Sequence, residues 1–312
     1  MPRSHLWLLV AIAVSAVVTA ASGRLDPYWL DVLLGVGINI ILAVSLNLIN
    51  GFTGQFSLGH AGFMAVGAYT AATITTTLGI RLGWPPGLLR WVLFPSGLLA
   101  GGLLAAVAGL AVGAPSLRLK GDYLAIVTLG FGEIIKVILQ NVKAVGGATG
   151  LYGIPAYTNP LWTYAWAALT VYVVWGLLNS TYGRGFVAVA DDEVAAEAMG
   201  LNPTRYKIHA FVIGAFFAGV AGGLYAHLKG YISPSGFDFN KSIEIVVMVI
   251  LGGRGRHLGV ILAAILLTVV QEPLRRLGDW RMILYAVLLI SLMILRPQGL
   301  FTWPVRQRRA AS

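Results

Sequence analysis

From Val32 to Ile80 the chain carries no Asp, Glu, Lys or Arg. That run is too long for one bilayer crossing, which takes roughly 20 apolar residues at about 1.5 Å of rise each. It is also too apolar to face water. It reads as one helix ending near Asn50, a glycine-rich break, and a second helix through Ala61 to Thr76. The remaining sequence agrees: of 312 residues, 57% are hydrophobic and only 11% charged, whereas soluble domains carry about a quarter charged residues. So few charges cannot cover a water-facing surface of this size, so acyl chains must solvate much of it.

Further apolar runs follow the same logic. Leu6 to Gly23 is long enough to cross, although Ala20, Ala21 and Ser22 resemble a signal-peptidase site. Trp91 to Leu117, Tyr123 to Val142, Leu161 to Leu178, Ile208 to Leu228, His257 to Gln271 and Met282 to Leu295 read as crossings. Ile245 to Leu251 reads as half a helix broken at Gly252 and Gly253. The expected fold is all-α: a polytopic membrane helix bundle of about eight to ten transmembrane helices, forming one domain over residues 1–312 with one long polar loop, 179–207.

The net charge of +10 comes from short clusters between apolar runs, such as Arg118 and Lys120, Arg205 and Lys207, Arg254 and Arg256, and Arg306 to Arg309. This pattern orients a membrane protein and does not build a nucleic-acid stripe. The polar loop and the basic tail both read as cytoplasmic, although Arg275, Arg276 and Arg281 then fall outside. The sequence contains no Cys, and its five His show no metal-ligand spacing. It also lacks a G-x-S-x-G nucleophile elbow and a G-x-x-x-x-G-K-[ST] phosphate loop. An enzyme is therefore not expected, and any ATP must be bound by another subunit.

Small residues recur every four positions in Gly97, Gly101, Ala105, Gly109 and Gly113, and again in Gly214, Ala218, Gly222 and Ala226. Each set lies on one helix face and permits close helix packing in lipid. The break from Gly51 to Gly62 is polar and irregular. Backbone of that kind survives at membrane depth where protein or a wet cavity surrounds it. It reads either as a substrate path, with Gln55, Ser57 and His60 the candidate contacts and Thr128 facing the same cavity, or as an interfacial turn. Glu133 and Lys136, three apart on one helix, can pair. Lying past the middle of their run with Lys143 close behind, they read first as a pair snorkelling to the headgroups. The alternative is an intramembrane functional pair, such as the ion site of a secondary transporter.

In the polar loop, Asp191, Asp192 and Glu193 are expected to open a short helix, their carboxylates complementing its N-terminal dipole. Ala195, Ala196, Ala198 and Met199 continue it, Gly200 ends it, and Asn202-Pro203 starts the next helix. A helix of about ten residues is marginal alone in water, and an alanine face makes no core. It therefore rests on the bundle or on a partner protein.

The loop resembles the E-A-A-x-x-x-G coupling loop of ABC importer permeases. Ala195, Ala196 and Gly200 match, while Val194 fills the Glu slot and Glu193 stands one place earlier. The stretches GFTGQFSLGHAGFMAVGAY, GDYLAIVTLGFGEI, VGGATGLYGIP, KIHAFVIGAFFAGVAGGLYAHLKGYISP and SIEIVVMVILGGRGRHLG resemble, in order, the branched-chain amino-acid ABC transporter permease family, LivM type, over about Asn47 to Arg276. The resemblance implies a permease subunit in a bacterial inner membrane that moves leucine, isoleucine and valine by alternating access. It implies a LivH-type second permease, two ABC ATP-binding subunits docked on Asp191 to Gly200, and a periplasmic solute-binding protein. Urea permeases of the same superfamily share much of the pattern, which leaves urea or another small polar solute as the alternative cargo. No cofactor is expected on this chain, ATP being bound by the partner subunits.

Overall fold

The computed structural model describes residues 19, 26–78, 87, 89–116, 122–274, 286–287, 290–291, 294 and 299–300. The expected runs Leu6 to Gly23 and Met282 to Leu295 fall outside these, apart from isolated positions, as do Arg118, Lys120, Arg275, Arg276, Arg281 and the basic tail. The described residues form helices and helical turns, with one isolated bridge between Leu151 and Ile232.

Helix α1 (Pro27–Asn47) starts where Asp26 accepts the Tyr28 amide at 2.8 Å and Pro27 supplies a preset first turn. It continues into a π-helical turn, Leu48–Phe52. After the break come α2 (His60–Thr73), α3 (Phe94–Ser116), α4 (Asp122–Asn141) and α5 (Pro160–Leu178, capped by Asn159). The polar loop holds two helices, α6 (Thr181–Asp191) and α7 (Glu193–Ala198). It leads into α8 (Pro203–Lys229), then α9 (Phe239–Gly252) and α10 (His257–Leu274). Among the described residues, five helical segments are long and apolar enough to cross a membrane: those containing α1, α3, α4, α5 and α8. The apolar window of α1 is 89% buried and that of α4 only 17%, so α1 is the central stave and α4 lies at the rim.

The core is built on α8, which packs most extensively on α3 and α2. Here the periodic small residues meet backbone to backbone. A Cβ added at Gly67 would lie 2.2 Å from the Gly219 Cα, and one at Gly101 would lie 2.7 Å from the Gly67 carbonyl oxygen. Without a hydrophobic drive between helices in lipid, such close approach supplies the dispersion contacts that hold them.

Two hairpins of opposite orientation position the centre. α1 and α8 are antiparallel: Asp31 near the start of α1 pairs with Lys229 at the end of α8 (2.9 Å), while Ile49 beyond α1 packs on Gly214. After Phe52 the chain turns back into the bundle, and His60 begins α2 level with Ser45. After Lys229 it turns back from the other side, and Phe237, just before α9, packs on Tyr225 with ring centroids 6.0 Å apart. Both α2 and α9 therefore begin inside the protein. Their starts touch where the Ala61 amide donates to Ser242 Oγ at 3.2 Å.

Candidate functional site

The break between α1 and α2 is buried in protein. Thr53 Oγ1 donates to the Ile49 carbonyl at 2.7 Å, and Gly54 adopts φ +67°, turning the chain back beside Ala190 of α6. Asn50 then clasps Ser57: its Oδ1 accepts the Ser57 amide at 3.2 Å and its Nδ2 donates to the Ser57 carbonyl at 3.4 Å. Thr128 of α4 accepts the Leu58 amide at 3.1 Å, and Gly59 sits so close that a Cβ there would lie 2.4 Å from the Thr128 carbonyl oxygen. His60 Nε2 lies 2.9 Å from Ser45 Oγ.

All four sequence-derived path residues, Gln55, Ser57, His60 and Thr128, are buried, and Thr128 joins the other three from a separate helix. Both amide atoms of Gln55, Ser57 Oγ and His60 Nδ1 are enclosed without a protein hydrogen-bond partner. A buried unpaired polar group costs about 1–3 kcal/mol, so the break holds unmet polar demand at the centre of the bundle. Ser45, Asn50 and Ser242, which organise it, were not singled out from the sequence. Their signal was slight: single small polar residues in or near apolar runs.

The polar loop differs from its expected form. Asp191 closes α6 and does not open a helix. The extended backbone of Asp192 (φ −154°, ψ 110°) breaks the chain, and its carboxylate caps α7 by accepting the Val194 and Ala195 amides at 2.9 and 3.0 Å. Two adjacent aspartates offered competing cap positions, and the second takes the role. The helix before them, α6, was masked in sequence by Gly183 and Gly185. Both are needed for close approach, since a Cβ would meet the Leu177 carbonyl oxygen at 2.3 Å and the Tyr206 ring at 2.3 Å respectively.

Phe186 and Tyr182 pack on Tyr206 of α8, and the Tyr182 hydroxyl hydrogen-bonds His209 Nδ1. Burial, then the neighbouring Tyr206, raises the Tyr182 hydroxyl above its ordinary range, with Arg205 opposing. On α7, Glu193 pairs with the buried Lys207 of α8 at 2.7 Å, Ala196 points inward, and Gly200 at φ +84° reverses the chain. Ala195 is exposed, and Val194 and Met199 stand 70% and 83% exposed. The loop is thus a bracket braced on α8, presenting apolar side chains outward.

Glu133 and Lys136 form an ion pair of 2.9 Å on α4. The helix runs on to Asn141, so Glu133 lies about 12 Å short of its end. That is farther along the helix axis than a glutamate side chain reaches. A charge facing lipid near the centre of a span costs about 2.5–3.5 kcal/mol on insertion scales.

The sequence profile described as branched-chain amino acid transport system / permease component matches residues 28–295. The chain is 37% identical over 333 aligned residues to the high-affinity branched-chain amino acid transport system permease protein LivM of Salmonella typhimurium, covering 96% of this chain and 74% of that protein. It is 28% identical to a probable branched-chain amino acid transport permease protein LivM of Methanocaldococcus jannaschii, over 77% of this chain and 79% of that one. It is 22% identical to the permease protein LivH of Escherichia coli, over 85% and 91%. A bundle of apolar spans joined to these matches makes this a multi-pass membrane protein, and with the profile covering most of its length, the chain belongs to the branched-chain amino acid transport system permease family.

Proposed function

We propose that the chain is the permease subunit of an ATP-driven importer, carrying branched-chain amino acids across the bacterial inner membrane by alternating access. It works beside a LivH-type permease, two ATP-binding subunits and a periplasmic binding protein. The LivM and LivH relatives support the cargo and the second permease. The bracket of α6 and α7 carries the rest of the reading. A six-residue helix cannot stand alone, yet α7 is capped, ion-paired to α8 and armed with exposed Val194 and Met199. Such a surface suits an external motor, and with no phosphate-binding loop in the sequence, ATP belongs to that motor. The unpartnered groups of Gln55, Ser57 and His60 supply polar contacts for a path through the centre.

The test is reconstitution of the complete five-subunit transporter in liposomes with Val194→Asp and Met199→Asp together. Both side chains point outward, so the bundle stays folded. Leucine uptake falls at least tenfold while the ATPase subunits still turn over without control by the binding protein. Full, ATP-coupled uptake in this variant refutes docking at the bracket.

A further inference from the structure

The ion pairs of α4 and α9 have no part in the function proposed above. Glu133 and Lys136 have side chains 42% and 21% exposed, on the least buried of the five spans. A second pair, Lys241–Glu244 at 2.9 Å, stands on the first turns of α9, where Gln271 also donates to Glu244 at 3.1 Å. α4 packs against α9 and against the turn Pro234–Phe237, so both pairs belong to neighbouring elements on one side of the bundle. The exposed face of α3 is different in kind: Leu103, Leu104, Val107 and Leu110 are all apolar, as a surface solvated by acyl chains should be.

The two flanks of α4 also differ. Glu133, Lys136 and Gln140 recur at helical spacing and form one stripe. Ile135, Ile138 and Leu139 line the other flank, bordering an apolar cavity of about 440 Å³ with α2 and α3. Half-exposed charges at membrane depth face water or protein, not lipid, so the charged flank of α4, where Ile126, Ile134 and Val137 also stand exposed, is a surface for the second permease or for a wet path between the two.

Resting on the reading of this chain as an amino-acid permease, we propose that Glu133 and Lys136 form an exchangeable ion pair on the wall of the translocation path where it runs between this chain and the second permease, on the side of α4 turned away from Thr128. The α-ammonium of a passing amino acid replaces Lys136 at the Glu133 carboxylate, and its α-carboxylate replaces Glu133 at the Lys136 ammonium. The pair and the zwitterion each hold one carboxylate and one ammonium, so the exchange keeps net charge at zero and leaves no charge unpaired at depth. An uncharged solute such as urea leaves the pair closed. Leucine, isoleucine and valine share the same head groups, so one pair serves all three.

The natural absence of cysteine makes the test direct. In the complete transporter, single variants Glu133→Cys and Lys136→Cys react with a membrane-impermeant charged thiol reagent. Leu103→Cys and Val107→Cys, on the apolar face of α3, stay unreactive. Glu133→Gln and Lys136→Met each reduce leucine uptake at least tenfold, with binding-protein-stimulated ATPase activity kept within about twofold. The double exchange Glu133→Lys with Lys136→Glu rebuilds an ion pair and a folded helix, yet uptake stays at least fivefold impaired because the zwitterion meets reversed partners. Unreactive cysteines at 133 and 136 overturn the inference, as does full uptake in both single variants or complete rescue by the double exchange. Failure of the underlying functional reading looks different: the unaltered transporter then shows no ATP-dependent leucine uptake, whatever the labelling pattern.

Discussion

Replacing Gly222 by Ala tests whether backbone contact between α2 and α8 carries the bundle. The new Cβ would lie 1.9 Å from the Met64 carbonyl oxygen and 2.9 Å from the Ala68 amide nitrogen, both backbone atoms that no rotamer change can move. Ordinary contact begins at 3.4 Å, so the helices must part by roughly 1.5 Å, and a gap of even 0.5–1 Å forfeits about a quarter to a half of each dispersion contact. Overpacking of this kind costs about 3 kcal/mol at the upper end of its usual range. Ala is favoured over Gly in a helix by about 1 kcal/mol, so the net loss is about 2 kcal/mol. Gly176 of α5 is the control, since a Cβ there meets nothing within 4 Å. Gly176→Ala therefore gains up to about 1 kcal/mol. The two variants should differ by about 3 kcal/mol, roughly a hundredfold in the unfolding equilibrium. Denaturant titration in mixed micelles, followed through the fluorescence of the nine tryptophans, measures it. If Gly222→Ala unfolds together with Gly176→Ala, the seam is not close-packed as described.

Three other outcomes are expected in the same assay. Thr128→Val removes the acceptor of the Leu58 amide and costs about 1–3 kcal/mol, whereas Ser57→Ala removes a hydroxyl without a protein partner and costs nothing; equal losses in the two would contradict this account of the break. Lys207→Met strands Glu193, and because Glu193 is part-exposed the loss is held to about 1 kcal/mol, which loss of the ion pair's salt sensitivity would corroborate. Tyr182 has a raised hydroxyl pKa in the folded protein. Its stabilising effect is therefore complete below the unfolded value of about 10 and declines as pH rises through the folded value. Tyr182→Phe should flatten that alkaline decline, and an unchanged pH profile would show that burial of the hydroxyl does not matter.

The crossings were legible because lipid imposes one rule, about 20 predominantly apolar residues with few charges, and the segments containing α1, α3, α4, α5 and α8 obey it. The break was legible from its glycines, in particular Gly54, whose positive φ the turn requires. α6 was not, because Gly183 and Gly185 argue against a helix locally and are explained only by the Leu177 carbonyl and the Tyr206 ring packed on them. α9 was legible in its apolar half alone. Its start at Phe239 falls among Asn240, Lys241 and Glu244, which look like loop in sequence and become helix because Asp238 caps the Lys241 amide at 3.1 Å. The central site was legible as a polar segment but not as a constellation, because Ser45, Thr128 and Ser242 reach it from three different helices.

The meeting of Ala61 and Ser242 has a mechanical meaning. An amide in the first turn of a helix has no partner inside that helix, so parting these two segments unwinds nothing. It exchanges one hydroxyl contact for a water molecule, at a net cost of about 0.5–1.5 kcal/mol. The inward-turned starts of α2 and α9 are thus joined by a catch that thermal motion can spring without unwinding either helix.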